Sequence, residues 1–375
     1  MKKIGITGQP GFIGTHLFNT LSLYKDEYQA IPFEDRFFET EADMDAFVKQ
    51  CDVIVHLAAM NRHNDPEVLY NTNIELVQKL INAMIRTNSK PYVIMSSSLQ
   101  EEHDNIYGKS KRIGRELLNE WADKNGASFT GMIIPNVFGP FGVPFYNSVI
   151  STFSHQIANG QEPKIEIDAE LKLIYINDLV SHFIERIDKS DVHDDISQSI
   201  VIEHTAAKKV SDLLNQLHTY KAIYQDRNII PELYSPFDVA LFNTFRSYIP
   251  MDRFPIIYKK HTDERGDFVE VLKFNTSGQV SYSTTKSGIT RGNHFHIRKM
   301  ERFSVIKGRA SIKLRKYGTN QVFDFVVDCD NPGFVDMPVW YTHNITNIGD
   351  EELITLFWIN EEFNPADPDT FFEVV

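Results

Sequence analysis

Two stretches of this sequence carry residue types at spacings that could do chemistry with a nucleotide. The first is Thr7-Gly8-Gln9-Pro10-Gly11-Phe12-Ile13-Gly14, with glycines spaced G-x-x-G-x-x-G. Between a strand and a helix, Gly8 permits a tight turn, Gly11 lets backbone approach a pyrophosphate, and Gly14 lets the helix pack on the sheet. That context predicts a dinucleotide. The ribose discriminator belongs roughly 20 residues further on, where an acid favours NAD and an arginine favours NADP. Pro32-Phe33-Glu34-Asp35-Arg36 offers both, and Arg36 tilts the expectation to NADPH over NADH. The second stretch is Ser96-Ser97-Ser98 followed by Tyr107-Gly108-Lys109-Ser110-Lys111. Tyr107 and Lys111, four apart, share a helix face. The Lys111 ammonium is expected to lower the pKa of the Tyr107 phenol, which then exchanges a proton with a carbonyl oxygen. Ser97 or Ser98 would hydrogen-bond the same oxygen.

A third group lies far downstream. Gly292-Asn293-His294-Phe295-His296 is followed by Glu301 and Gly308, then by Gly333, Pro338, His343 and Asn347. His-x-His on a strand puts both imidazoles on one face. With Glu301 and His343 they would make a three-nitrogen, one-oxygen site suited to zinc or another first-row divalent metal. In a chain with 13 histidines a lone His-x-His says little; the full set is what points to a site.

The elements that must position these residues fall into two textures. Strand-length apolar runs at 3–7, 52–58, 92–96 and 130–135 alternate with helical patterns such as 73–86. Continuous apolar strands are buried on both faces, so a parallel, doubly wound α/β sheet is expected. From 147 to 253 the pattern is mixed, with helices expected at 210–217 and 239–245 and a substrate-facing lobe. Pro250 and Pro255 mark the boundary, giving domains 1–252 and 253–375. Beyond it, strands are expected at 268–274, 280–284, 303–306, 310–315, 322–327 and 353–358, as in an all-β sandwich or barrel. Among 375 residues, 42% are hydrophobic and 24% charged, as in a folded globular protein of two or three domains. The formal charge of −13 argues against nucleic-acid and membrane-surface binding. No apolar run approaches the ~20 residues of a membrane span. Cys51 and Cys329, far apart, fit a reducing compartment, so the cytoplasm is expected.

Residues 1–250 resemble the extended short-chain dehydrogenase/reductases that act on nucleotide sugars. Further support comes from His56-Leu57-Ala58-Ala59, from Asn73 at the opening of a helix, from Pro135-Asn136-Val137-Phe138-Gly139-Pro140, and from Tyr175-Ile176-Asn177-Asp178. The resemblance implies a Rossmann fold whose cofactor touches Gly8, Gly11, Phe12, Ile13, Gly14, Arg36, Leu57, Ala58, Tyr107 and Lys111. One departure is Ile134, where many relatives place Arg. Sugar dehydratases of this family carry Asp-Glu after the serine; here Leu99 and Gln100 occupy those positions, which favours ketone reduction over dehydration.

Residues 256–375 resemble the cupins (jelly-roll proteins), whose two motifs supply His, His, Glu and His to a metal. Trp340 stands where cupins usually have Gly. Arg265 within Asp263-Glu264-Arg265-Gly266-Asp267-Phe268, and Arg291 within Gly288-Ile289-Thr290-Arg291-Gly292-Asn293-His294, resemble the metal-independent nucleotide-sugar 3,5-epimerases. In those, the matching His is a general base and the arginines hold substrate phosphates, so His294 is either ligand or base. The two halves together resemble bifunctional capsular-polysaccharide enzymes that precede UDP-N-acetyl-L-fucosamine formation. That resemblance also takes in Tyr146-Asn147-Ser148-Val149-Ile150, Tyr341-Thr342-His343-Asn344-Ile345 and Pro368-Asp369-Thr370. It implies that the cupin domain epimerises carbon 3 of a UDP-2-acetamido-2,6-dideoxy-4-ketohexose, with Arg265, Arg291 and Tyr341 on the substrate. The N-terminal domain then reduces carbon 4 to give UDP-2-acetamido-2,6-dideoxy-L-talose, in a homodimer. Two alternatives stay open: a reductase whose β domain only dimerises or senses product, and a sensor of nucleotide sugar and NADPH without turnover.

Overall fold

The computed structural model describes residues 1–191, 197–263, 266–269, 278–361 and 364–375. They pack as two compact units, Met1–Val149 with Asp168–Val210, and Ile150–Ile167 with Ser211–Val375. Packing thus divides the helices between 147 and 253 between both units.

In the first unit, strands β1 (Lys2–Thr7), β2 (Tyr28–Ile31), β3 (Val53–His56), β4 (Tyr92–Ser98) and β5 (Phe129–Ile134) alternate with helices α1 (Phe12–Leu21), α2 (Glu41–Val48), α3 (Pro66–Thr87) and α4 (Ile106–Asn125). After β6 (Asn136–Phe138), helix α5 (Val149–Ala158), β7 (Glu170–Tyr175) and α6 (Ile176–Asp188), strand β8 (Ser197–Val201) completes a parallel sheet of order β2-β1-β3-β4-β5-β8. Strand β9 (Ala206–Lys209) joins β6 and β7 in a second, three-stranded sheet. Every residue of β3 is buried, as are the first six of β4, which is why these strands read as unbroken apolar runs. Helix α3 starts earlier than the apolar periodicity suggests. Asp65 caps it by accepting from the Glu67 N–H at 2.9 Å, and Pro66 occupies the first turn. Asn73 therefore lies inside the helix rather than opening it. Its side chain is buried and bonds the Met60 backbone and the Ser110 hydroxyl.

The second unit takes α5 together with α7 (Val210–Tyr220) and α8 (Pro236–Arg246), the last opened by a Ser235–Asp238 capping box. Its strands are β10 (Ile256–Ile257), β11 (Lys260–Asp263), β12 (Gly266–Val269), β13 (Gln279–Thr285), β14 (Thr290–Phe295), β15 (Glu301–Lys307), β16 (Arg309–Lys316), β17 (Val322–Asp328), β18 (Gly333–Met337), β19 (Tyr341–Asn347), β20 (Leu353–Ile359) and β21 (Phe371–Phe372). Two antiparallel five-stranded sheets, β10-β18-β15-β20-β13 and β17-β16-β19-β14-β21, share one core of Phe303, Val305, Ile312, Leu314, Phe334 and Ile345. The expected strand at 268–274 is β12 in its first two residues, and the remainder lies outside the described residues. Strands β18 and β19 went unread in the sequence; each carries polar residues that still face the interior, Asp336 on one and His343 on the other.

A buried ion pair ties helix to sandwich within this unit. Arg302 on β15 and Asp336 on β18 are each 2% exposed at the side chain, with bonds of 2.7 and 3.0 Å. The guanidinium lies 3.7 Å from the Phe334 ring centre and donates to the Asn228 carbonyl, while the Tyr224 hydroxyl donates to Asp336. Removing one member leaves the other charge buried alone. Asp336→Asn should therefore destabilise the protein by roughly 3–5 kcal/mol, read as a lower urea midpoint. A loss below about 1 kcal/mol would contradict this account.

Candidate functional site

The glycine turn begins where β1 ends. Gly8 adopts φ +70, and a Cβ there would meet the Ala58 backbone at 2.8 Å; a Cβ on Gly14 would reach the Gly8 carbonyl at 2.4 Å. The turn is closed by a Gly11 N–H to Gly8 carbonyl bond of 3.0 Å, and α1 starts at Phe12. Thr7 joins the ends of β1 and β3: its hydroxyl accepts from the Ala58 N–H and shares a hydrogen bond of 2.8 Å with His56 Nδ1. This draws Leu57 and Ala58 alongside the glycines, half-buried like Phe12 and Ile13. The result is a close-packed backbone cradle at a helix N-terminus, which fits a dinucleotide pyrophosphate. Arg36 is exposed beyond β2 and paired with Glu34 at 2.6 Å.

The serine strand β4 ends at Ser98, and α4 opens on an Asn105 cap that accepts the Gly108 N–H at 2.7 Å. Ser97 and Ser98 part company. Ser97 is buried and donates to Glu101, whose carboxylate is gripped by Arg115 at 2.7 and 3.0 Å. Ser98 is half-buried, and its hydroxyl accepts the Gln100 N–H at 3.2 Å. Burial pulls the Lys111 ammonium down to about 8, and the Glu101 charge pulls it back up. Burial pushes the Tyr107 phenol up to about 12, with Tyr146 adding to the rise. That corrects the expectation that Lys111 lowers it, since in the polypeptide alone desolvation of the phenolate prevails. Gly108 and Glu101 were not singled out from sequence. The signals were a glycine directly after Tyr107 and an acid in the short gap before it.

The third group assembles across the two sheets of the sandwich. His294 on β14 and His343 on β19 are cross-strand partners with ring centres 4.6 Å apart, and Glu301 comes from β15 of the facing sheet. His296 lies just past β14, with Phe295 between them turned into a stack on Trp340 and Phe371. A bulge at 292–294, with Gly292 at φ +99 and Asn293 at φ +57, re-aims His294. One ligand atom from each of the four residues lies within 4.8 Å of all the others. His296 Nδ1–H donates to the Asp369 carbonyl and His343 Nδ1–H to the Tyr341 carbonyl, while the Gly292 backbone holds His294. Carbonyls only accept, so each of those Nδ1 atoms carries a proton, and Nε2 of His296 and of His343 faces Glu301 Oε2 at 3.2 and 3.1 Å, a lone pair on the neutral ring and a charged donor on the protonated one. Those three buried atoms have no hydrogen-bond partner. With the rings neutral these are acceptors aimed at one another, an arrangement that fits a cation.

Burial, then the neighbouring imidazoles His343 and His296, draw His294 down to about 4. Burial raises the Glu301 carboxyl, yet His296 and His343 outweigh it and hold it well below the ordinary carboxylate range. Trp340 keeps the turn that cupins build with glycine by adopting φ +62 itself, buried against Phe295 and Tyr317 and donating its N–H to the His296 carbonyl at 2.8 Å. Among the remaining expected substrate contacts, Arg291 is exposed on β14 and Tyr341 is half-buried at the start of β19. Arg265 lies outside the described residues.

These features define an NAD(P)-binding α/β unit joined to a cupin-like sandwich, and comparison with known proteins agrees. Residues 4–197 match the NAD dependent epimerase/dehydratase family and residues 261–371 the polysaccharide biosynthesis C-terminal domain. The first match covers over half of the chain, which belongs to that NAD dependent epimerase/dehydratase family. A UDP-2-acetamido-2,6-beta-L-arabino-hexul-4-ose reductase from Pseudomonas aeruginosa is 33% identical over 373 residues, 98% of each protein. The solved capsular polysaccharide assembling protein CapF from Staphylococcus aureus is 32% identical over 100% of both chains, with a TM-score of 0.63. RMD from Pseudomonas aeruginosa, solved with NADPH, shares the fold over 59% of this chain and 83% of its own, at 18% identity and a TM-score of 0.53. Among the described residues no helix is long and apolar enough to cross a membrane.

Two outcomes test the first site. A Cβ on Gly108 would lie 1.8 Å from the Gln100 carbonyl, so Gly108→Ala must part α4 from the turn after Ser98. Turnover should fall about 100-fold with the fold and nucleotide binding retained; wild-type kcat would sink the close-packing claim. For Lys111, a folded value of about 8 against the ordinary 10.5 means the burial penalty is complete below pH 8 and fades as pH climbs to 10.5. Lys111→Met should therefore stabilise the nucleotide-free protein at pH 7 by roughly 2–3 kcal/mol while abolishing turnover. The gain should shrink when urea melts are repeated near the upper end of that window; a gain independent of pH would contradict the buried-ammonium account.

Proposed function

We propose that this protein is a bifunctional nucleotide-sugar enzyme of capsule or surface polysaccharide synthesis. Its β sandwich epimerises carbon 3 of a UDP-2-acetamido-2,6-dideoxy-4-ketohexose, and its α/β unit then reduces the 4-keto group. The observation that carries this reading is that one chain holds a glycine cradle, a serine strand and a Tyr–Lys helix in one α/β unit and a four-ligand cluster in a sandwich. Near full-length similarity to a UDP-keto-sugar reductase supports the substrate class. As units of function we assign 1–252 to reduction and 253–375 to epimerisation.

When bound, NADPH supplies hydride to carbon 4, and a divalent metal, zinc being the first candidate, supplies electrophilic pull on the substrate carbonyl. The protein's own residues do the remainder. Ser98 orients the ketone, the role left to it by the engagement of Ser97 with Glu101. Tyr107 passes its phenolic proton to the carbonyl oxygen as carbon 4 is reduced. Lys111 holds the nicotinamide ribose, and its charge favours the phenolate left behind. Arg36, exposed beyond β2, faces the 2′-phosphate of NADPH, so Arg36→Ala should raise KM for NADPH more than for NADH. In the sandwich, His294, His296, Glu301 and His343 would hold the metal, and Arg265, Arg291 and Tyr341 would contact the substrate. Chemistry orders the steps: the carbon 3 proton is acidic only while carbon 4 is a ketone, so epimerisation precedes reduction. The protein works in the cytoplasm as a homodimer, a reading supported by Val280 and Tyr282, exposed apolar residues on the edge strand β13.

Two variants separate the activities. Tyr107→Phe should abolish NADPH oxidation yet leave deuterium exchange from heavy water into carbon 3 intact by NMR. His343→Ala should lose metal and exchange together. Loss of both activities in a folded Tyr107→Phe protein would refute independent sites, and exchange persisting in metal-free protein would refute the metal role.

A further inference from the structure

We propose that Asp369, in the C-terminal tail, is a positioning residue that sets the tautomer and the aim of His296; this rests on the metal reading of the histidine cluster. Asp369 is 4% exposed and adopts φ +41, a backbone conformation that costs an L residue about 1–2 kcal/mol. Its carboxylate supplies what offsets that strain. It accepts the successive backbone N–H groups of Ile297 at 3.2 Å, Arg298 at 3.0 Å and Lys299 at 2.9 Å. Bonds of this kind to a charged oxygen are the stronger ones. In that conformation the Asp369 carbonyl accepts His296 Nδ1–H at 2.5 Å. A single residue thus grips the turn that follows His296 and, from the other side, the imidazole itself.

The tail is braced in place. The Arg298 guanidinium pairs with Asp367 at 2.8 Å, and Lys299 Nζ donates to the Pro368 carbonyl at 2.6 Å. Strand β21 adds to the edge of β14 opposite His294 and Phe295, and Arg315 pairs with Glu373 at 2.6 Å. With its Nδ1 proton committed to a fixed carbonyl, His296 turns Nε2 to Glu301, and the neutral ring presents its lone pair there. An outer partner of this kind raises the basicity of a ligating imidazole and fixes its plane.

The test uses the full-length protein with Asp369→Ala and the milder Asp369→Asn, which tolerates positive φ and keeps one acceptor oxygen. Zinc affinity, by chelator competition, should fall about 10–100-fold in Asp369→Ala and by less in Asp369→Asn. The cobalt-substituted spectrum should shift with it. Long-range proton–nitrogen NMR of the metal-free proteins should show His296 as the Nδ1–H tautomer in the wild type and as a mixture in Asp369→Ala. A folded Asp369→Ala protein with wild-type affinity and an unchanged tautomer would overturn the proposal. If the wild type binds no metal, the metal reading fails while the tautomer comparison still decides the role of Asp369.

Discussion

Taking a charge or a hydrogen-bonding group out of water is tolerable only when something answers it, and both units are organised around such groups. In the first, Lys111 is buried where its ammonium is held only with difficulty, and Glu101 is the carboxylate that counters the loss of water. Glu101 is in turn bound by Arg115 and Ser97, so the serine strand and the helix bearing Tyr107 are locked to one carboxylate. In the second, Arg302 and Asp336 neutralise each other beneath Tyr224. Nearby, Nε2 of His296 and of His343 face the Glu301 carboxylate with no other hydrogen-bond partner. The first two arrangements are closed within the polypeptide. The last is an arrangement that fits a cation.

Close approach of backbone to backbone is the second organising device. Gly14 against the Gly8 carbonyl and Gly108 against the Gln100 carbonyl leave no room for a Cβ, and each sets the distance between a helix and the end of a strand. At the other site the same need for an unusual backbone is met by large or charged residues. Trp340 and Asp369 both adopt positive φ, one compensated by ring packing and the other by three N–H bonds. Strain at those points is bound to the geometry of His296, whose carbonyl takes the Trp340 N–H and whose ring donates to Asp369.

The chemistry of the two halves is coupled through the substrate. A ketone at carbon 4 makes the neighbouring proton removable, and its reduction ends that acidity. An enzyme carrying both activities can therefore convert a freely exchanging keto-sugar into a configurationally stable alcohol, with reduction as the step that commits the stereochemistry.

Much of this was legible in the linear sequence because local rules carry it. Unbroken apolar runs mean doubly buried parallel strands, and the glycine spacing, the Tyr107–Lys111 interval and the His294, His296, Glu301, His343 pattern name the chemical groups. What escaped was what depends on neighbours remote in the chain. Strands β18 and β19 carry buried polar residues, Asp336 answered by Arg302 and His343 facing Glu301, both on β15, so no alternation betrayed them. The pKa direction of Tyr107 turns on how much water the folded site admits, and the choice between Ser97 and Ser98 turns on where Glu101 and Arg115 lie. The sequence by itself determined which reactive groups exist and which kinds of element bear them. Tertiary structure alone decided which nitrogen of His296 is bound to carry a proton, because the Asp369 carbonyl that settles it is brought to the ring by the folded tail.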